Sequence, residues 1–122
     1  METDQIARKI RLVLVTVLIT LLAGCAAPTL YSYGSYEELI YGSYATPGQV
    51  SPETQVEKLE QDYQEARAAN KRMCPGWHAQ LGHLYFQLGR TDQAQQEFLT
   101  EKAEFPESAV MMDRFLANLQ TQ

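Results

Sequence analysis

Glycine and alanine alternate with large apolar residues at regular helical spacings in the carboxy-terminal half of the chain, and this pattern constrains the fold more than any other feature. Gly82 allows two helices to approach closely where a side chain would clash, and Gly89 can adopt the left-handed conformation that ends a helix. Ala94 is small where the helices would cross. The spacing predicts a helical hairpin with a core of Leu81, Gly82, Tyr85, Ala94, Phe98 and Pro106.

The same positions match the spacings of a tetratricopeptide repeat, and the hairpin resembles one. The match has two departures. Trp77 lies one residue early, so that His78 occupies the usual tryptophan position, and Glu101 occupies a position that usually holds alanine. Thr91 is expected to cap the second helix, and Pro106 to end it.

One helix is predicted before the hairpin. Ser51 can cap a helix, Pro52 suits its first position, and the helix should stop by Met73 because Pro75 disfavours helical geometry before it. Its apolar residues recur at steps of three and four and share one face, which consists of Val56, Leu59, Tyr63 and Ala66.

One helix is predicted after the hairpin, over about residues 109–120 with Ser108 as its cap. Its expected inward stripe is Met111, Phe115 and Leu119, with Met112 and Leu116 beside it. The predicted fold class is therefore all-α, with a tetratricopeptide-like hairpin flanked by one helix on each side. This helical domain is expected over residues 52–122.

The amino-terminus has the pattern of a secretory signal. Arg8, Lys9 and Arg11 precede an apolar run over residues 12–23, which is short for a membrane span of about 20 residues. The run ends in Leu22, Ala23, Gly24 and Cys25, which resemble the lipobox of bacterial lipoprotein precursors.

That resemblance implies cleavage before Cys25, so that residues 1–24 are a signal peptide, and attachment of a diacylglyceryl group, which carries acyl chains such as palmitate, to the Cys25 thiol. The alternative is an uncleaved helical anchor with an incidental cysteine. Ala26 stands where aspartate would retain an enteric lipoprotein in the inner membrane, so the resemblance implies the outer membrane, facing the periplasm. This covalent lipid is the only bound group that we expect; we expect no cofactor and no metal.

Residues 25–51 are predicted to be a lipidated, tyrosine-rich linker. It contains five tyrosines and could form a short helical turn over residues 35–41, with Ser35 as N-cap and Glu38 three residues on. Because tyrosine is enriched at interfaces, the segment should pack either on its own helical domain or on a partner.

Charge and cysteine content narrow the possible functions. Residues 25–122 carry seven basic and thirteen acidic residues, a net charge of −6, which argues against nucleic acid as a partner. With Cys25 lipidated, Cys74 has no partner within the chain, so it is either a buried thiol or a reactive or intermolecular one. His78 and His83 lie five residues apart and do not make a metal pair. No residue pattern indicates an enzyme or a small-molecule substrate.

The chain as a whole resembles a family of small bacterial lipoproteins known only as domain of unknown function 4810. The resemblance rests on the lipobox, GSYEELIYGSY, SPETQVEKLEQDYQEA, PGWHAQLGHLYFQLGRTDQAQQEF and EKAEFPESAVMMDRFL. Members are typically encoded beside other lipoproteins, one of them similar to the curli-secretion pore protein. The family has no established activity, so it implies no catalytic residues.

The resulting hypothesis is an outer-membrane, lipid-anchored adaptor that binds an envelope protein without catalysis. By resemblance to tetratricopeptide proteins, its groove would consist of Ala79, Gln80, His83, Phe86 and Gln87. The alternative is that the tyrosine-rich segment or a second subunit fills this groove, and that the protein is a structural subunit of a homo- or hetero-oligomeric envelope assembly.

Overall fold

A computed structural model of the chain describes residues 1–22 and 29–120. It is mostly helical, which confirms the all-α class. Among the described helices, none combines the length and the hydropathy that a membrane span requires. The elements in chain order are α1 (Glu2–Leu22), β1 (Tyr31–Ser32), α2 (Tyr36–Ala45), α3 (Pro52–Ala68), β2 (Arg72–Met73), α4 (Trp77–Gln87), α5 (Thr91–Glu104), a 3-10 turn (Pro106–Ser108) and α6 (Ala109–Leu119).

Helix α3 begins as its sequence predicts. The side chain of Ser51 accepts a hydrogen bond from the backbone N–H of Thr54 at 3.3 Å, and Pro52 is the first helical residue. The helix ends at Ala68 because Asn70 takes a left-handed conformation, with φ +53°. The predicted inward face is confirmed, with Tyr63 half-buried and the others buried, namely Val56, Leu59 and Ala66.

Helices α4 and α5 pack against each other where the small residues are. A Cβ atom on Gly82 would lie 2.6 Å from the Phe98 ring and 3.2 Å from the carbonyl oxygen of Ala94, so only glycine fits there. Gly89 has φ +70° in the turn between the helices. The prediction of Thr91 as a cap is wrong: Arg90 is the N-cap, and no side-chain hydrogen bond caps α5.

Helix α6 closes the core in a different rotation from the predicted one. Met112 is fully buried, whereas Met111 is 49% exposed, so the inward stripe runs through Met112, with Phe115, Leu116 and Leu119 packed against the core. The Phe115 ring lies 5.1 Å from the Phe98 ring. Ser108 is the N-cap residue, but its side chain makes no capping hydrogen bond.

The tyrosine-rich segment folds on the helical domain. Strand β1 pairs in parallel with β2, with Tyr31 opposite Arg72. Helix α2 spans ten residues and is longer than the predicted turn, and its Leu39 is buried in the core. Ser35 is its N-cap residue without a side-chain capping bond, because the Ser35 hydroxyl and backbone N–H both turn to the carboxylate of Asp62, at 3.4 Å and 2.7 Å.

Candidate functional site

An open groove lies between three alternate helices, α2, α4 and α6. Its volume is about 540 Å³. Because α3 and α5 lie between these helices in the chain, the groove brings together residues from three separate parts of the sequence. Those used below are Tyr36, Ile40, Tyr44, Ala79, Gln80, His83, Gln87, Met111 and Phe115.

Four of the five residues predicted for the groove line it. Ala79 is nearly buried at its base, and His83 and Gln87 are exposed, with a hydrogen bond of 3.0 Å between their side-chain nitrogens. Gln80 is half-buried beside them. The fifth residue, Phe86, does not line the groove but is half-buried against the hydrophobic core. The reason is its place on α4, at the edge of the helical face that the other four share.

The tyrosine-rich segment contributes one side of this groove. A Cβ atom on Gly76 would lie 2.8 Å from the Tyr36 hydroxyl, so α2 lies close to the start of α4. Tyr44 lines the groove while 82% of it is exposed. The sequence analysis gave as an alternative that this segment fills the groove, and in the structure the segment forms part of the groove's lining.

The groove is uncharged, in contrast to the rest of the surface. Its lining contains no Asp, Glu, Lys or Arg, and His83 is its one titratable group besides the tyrosine hydroxyls. Burial raises the pKa of Tyr36, and the nearby Cys74 and Glu101 raise that pKa further. The groove therefore presents aromatic rings, amides and a thioether, which suit an apolar or amphipathic protein segment.

A buried carboxylate holds the two ends of this groove in place. Glu101 is fully buried, and its Oε1 accepts the backbone N–H of Gly76 at 2.8 Å and the hydroxyl of Ser108 at 3.2 Å. Gly76 precedes α4 and Ser108 precedes α6. Glu101 thus joins the starts of two groove helices. The sequence analysis noted this residue only as a departure from the tetratricopeptide pattern and did not predict this role.

A second cleft lies between α3, α4 and α5, with a volume of about 580 Å³. We call it the acidic cleft, because Glu57, Glu60 and Glu97 line it. His78 contacts Glu97 through its Nδ1 at 2.6 Å, and the Tyr85 hydroxyl donates to Glu60 at 2.5 Å.

Aromatic rings form the base of the acidic cleft. Tyr63 stacks on Trp77 with ring centres 5.5 Å apart, and the His78 ring meets the Trp77 ring edge-on at 4.9 Å. Burial raises the pKa of Tyr85, and its hydrogen bond to Glu60 raises that pKa further, so the hydroxyl keeps its proton as a donor.

Cys74 is buried between β2 and α4. Burial raises the pKa of its thiol to about 11, so the thiol stays protonated at neutral pH. This favours the buried, structural interpretation of Cys74 over the reactive one.

Of the predicted hairpin core, Leu81, Gly82, Tyr85, Ala94 and Phe98 are buried, whereas Pro106 is exposed at the start of the 3-10 turn, so its assignment to the core is wrong.

The predicted lipobox lies largely outside the described residues. Ala23, Gly24 and Cys25 are not among the described residues, and the backbone of Leu22 ends α1. The described ranges contain no group of three or more His, Cys, Asp or Glu side chains that could hold a metal ion.

Comparison with known proteins gives one match. The model of a family described as "Domain of unknown function (DUF4810)" matches residues 30–115, which include every lining residue of the groove and of the acidic cleft. Neither a curated protein nor a solved structure matches the chain significantly.

Proposed function

The chain belongs to the DUF4810 family, and we propose that it is a lipid-anchored, non-enzymatic adaptor that binds a segment of a neighbouring envelope protein in the groove between α2, α4 and α6. The observation that carries this proposal is the uncharged, aromatic lining of an open groove on a chain whose net charge is −5. Aromatic residues and methionine are enriched at the centres of protein interfaces, where charged residues are depleted.

The arrangement of the helices supports a tetratricopeptide-like architecture. Helices α4 and α5 approach closely at Gly82, and α2 and α3 precede them in the chain. In tetratricopeptide proteins the first helix of each pair faces the concave, peptide-binding side. Here α2, α4 and α6 would be those first helices, and the groove would be that side.

The anchor and location are proposed from the sequence. Leu22, Ala23 and Gly24 before Cys25 support lipid attachment, and Ala26 supports the periplasmic face of the outer membrane. The partner we propose is the curli-secretion-pore-like lipoprotein that the family resemblance places in the same gene neighbourhood. An adaptor held at the bilayer and a lipoprotein held at the same bilayer would meet at high effective concentration.

The test is capture of that lipoprotein by the full, lipidated chain from detergent-solubilised membranes. Tyr44→Ala and His83→Glu should each weaken capture by about tenfold, the cost typical of a central interface residue. Both side chains are exposed, so the melting temperature should hardly change. Gln95→Ala, at an exposed position of α5 outside the groove, is the matched control. Equal capture by all four proteins would exclude the groove as the binding site.

A structural subunit is the second candidate, favoured by the exposed end of α6. Val110 is 69% exposed and Met111 49% exposed on the last helix of the stack. Repeat proteins usually end in a polar capping helix, so an apolar terminal face suits stacking of further copies. A stable homo-oligomer of the purified chain that Val110→Glu dissociates would favour this candidate over the adaptor.

A further inference from the structure

We propose that the acidic cleft is a second binding site, which takes a peptide segment carrying lysine or arginine. Glu57, Glu60 and Glu97 line this cleft, and the lining contains no Lys or Arg. A cationic side chain is therefore the occupant whose charge complements the site.

The acidic cleft and the groove use different faces of α4. Trp77, Leu81 and Tyr85 line the acidic cleft, whereas Ala79, His83 and Gln87 line the groove, together with two further residues of the same helix. Residues three and four apart share a helix face, so these two sets point in opposite directions. One chain could then bind two segments at once, and this site does not depend on the proposed function of the groove.

Two of the three carboxylates of the acidic cleft are held by hydrogen bonds within the chain. Glu60 accepts the hydroxyl of Tyr85, and Glu97 is bonded to the ring of His78, which is 3% exposed. Each carboxylate uses one oxygen in these contacts, so its second oxygen is available to a ligand. Because these two carboxylates are held in place before binding, less side-chain entropy is lost when a cation binds.

The tyrosine rings that line the acidic cleft, Tyr63 and Tyr85, suit a cation as well. A guanidinium or ammonium group is attracted to the face of an aromatic ring within about 6 Å. Two arginines of the chain already make this contact beside the cleft, with Arg67 5.8 Å from the Tyr63 ring and Arg90 5.9 Å from the Tyr85 ring. Inside the cleft the rings of Tyr63 and Trp77 stack on each other and Trp77 is 1% exposed, so a cation would contact the tyrosine rings where these arginines do.

An unpartnered donor points to a peptide rather than to a bare cation. Trp77 lines the acidic cleft and is 1% exposed, and its indole Nε1 has no hydrogen-bond acceptor within the part of the chain that the structure describes. A buried N–H without an acceptor is costly. A peptide seated in the cleft has a backbone carbonyl at every residue that can supply this acceptor.

The experiment measures binding of the full chain to a labelled peptide in which lysine and alanine alternate. The same peptide with glutamine in place of each lysine is the reference. We expect the lysine peptide to bind at least about tenfold more tightly at low salt, and this difference to disappear near 1 M salt, where charges are screened beyond about 3 Å. Equal affinity for the two peptides would overturn the proposal.

Variants of Glu57 locate the binding without disturbing the cleft, because Glu57 is exposed and takes no part in the bonds to Tyr85 and His78. Glu57→Gln should weaken the lysine peptide by up to about fivefold, the value of one exposed ion pair, and Glu57→Lys by more. Glu107→Gln removes the same charge outside the cleft and should leave the affinity unchanged. Equal losses in Glu57→Gln and Glu107→Gln would show attraction to overall charge only and would overturn the site.

Free spermidine distinguishes the two sources of positive charge. A peptide site predicts that spermidine competes at least about tenfold more weakly than the lysine peptide, because it has no carbonyl for Trp77. Equal competition would make the site a polyamine site and would overturn the peptide proposal.

Discussion

The carboxylate of Glu101 accepts the backbone N–H of Gly76 at 2.8 Å across 25 residues of sequence. This bond fixes the start of α4, and the further bond from Ser108 fixes the start of α6. The fully buried carboxylate of Glu101 therefore links the starts of two helices, which the alanine usual at this position of the repeat cannot do.

Replacing Glu101 tests this bond. Although the repeat pattern favours alanine here, Glu101→Ala should lower the free energy of unfolding by roughly 2–4 kcal/mol, because it opens a cavity and leaves the part-buried N–H of Gly76 without its acceptor. Urea unfolding measures the change. Glu107→Ala, at an exposed position in the 3-10 turn, should stay within about 0.5 kcal/mol. An unchanged midpoint for Glu101→Ala would mean that the bond contributes nothing.

Replacing Gly82 and Gly42 by alanine distinguishes the effect of helix packing on stability from the effect of helix propensity. Gly82→Ala places a methyl group 2.6 Å from the Phe98 ring and should destabilise the fold by about 1–3 kcal/mol. Gly42→Ala in α2 meets nothing within 4 Å and should stabilise the fold by about 0.5–1 kcal/mol. Thermal unfolding of both variants checks the opposite signs. Two changes of the same sign would contradict the close approach of α4 and α5.

Cys74 should be unreactive while the domain is folded. With a pKa of about 11, only about one thiol in a thousand is a thiolate at pH 8. A thiol-reactive chromophore should label Cys74 slowly in the native Cys25→Ala variant, where Cys74 is the only thiol, and rapidly in guanidinium. Native labelling as fast as in denaturant would show that the thiol is accessible.

The same pKa shift predicts how stability depends on pH. The folded-state pKa is raised above its ordinary value of 9.0, so the contribution of Cys74 to stability is present below pH 9 and is lost as pH rises toward about 11. Cys74→Ala should reduce the fall in unfolding free energy across this interval. A fall as steep as in the parent protein would assign the slope to other groups.

Lipid attachment is tested at Cys25. Cys25→Ala should abolish labelling by radioactive fatty acid and release the protein from the membrane fraction, because the thiol that would carry the diacylglyceryl group is gone. Ala26→Asp should keep the label and move the protein to the inner membrane if sorting follows the enteric pattern. Persistence of the label in Cys25→Ala would refute the lipobox.

Helices were predicted correctly from the sequence where residues close together in the chain determine the structure. Ser51 caps α3 through a bond three residues away, and Gly82 is needed wherever two helices touch at this spacing. Helix α2 was predicted as a turn because tyrosine, serine and Gly42 have modest helix propensity. Packing of Leu39 into the core stabilises it beyond that turn.

Two of the three errors in capping have a common cause. Ser35 and Ser108 occupy the predicted N-cap positions, but their hydroxyls turn to the distant carboxylates of Asp62 and Glu101. Such competition depends on tertiary packing and has no local signal. The acidic cleft was missed for the same reason, since Glu57 and Glu60 read as a solvated helix face until Glu97 is placed opposite them by the fold.

The pairing of β1 with β2 limits how far the domain can stand from the membrane. Six peptide units separate Cys25 from Tyr31, and a fully extended chain of that length spans about 20 Å. If Cys25 is lipidated as proposed, Tyr31 would therefore stay within about 20 Å of the lipid headgroups. The domain could not search the periplasm, so any partner would have to approach the bilayer to be captured.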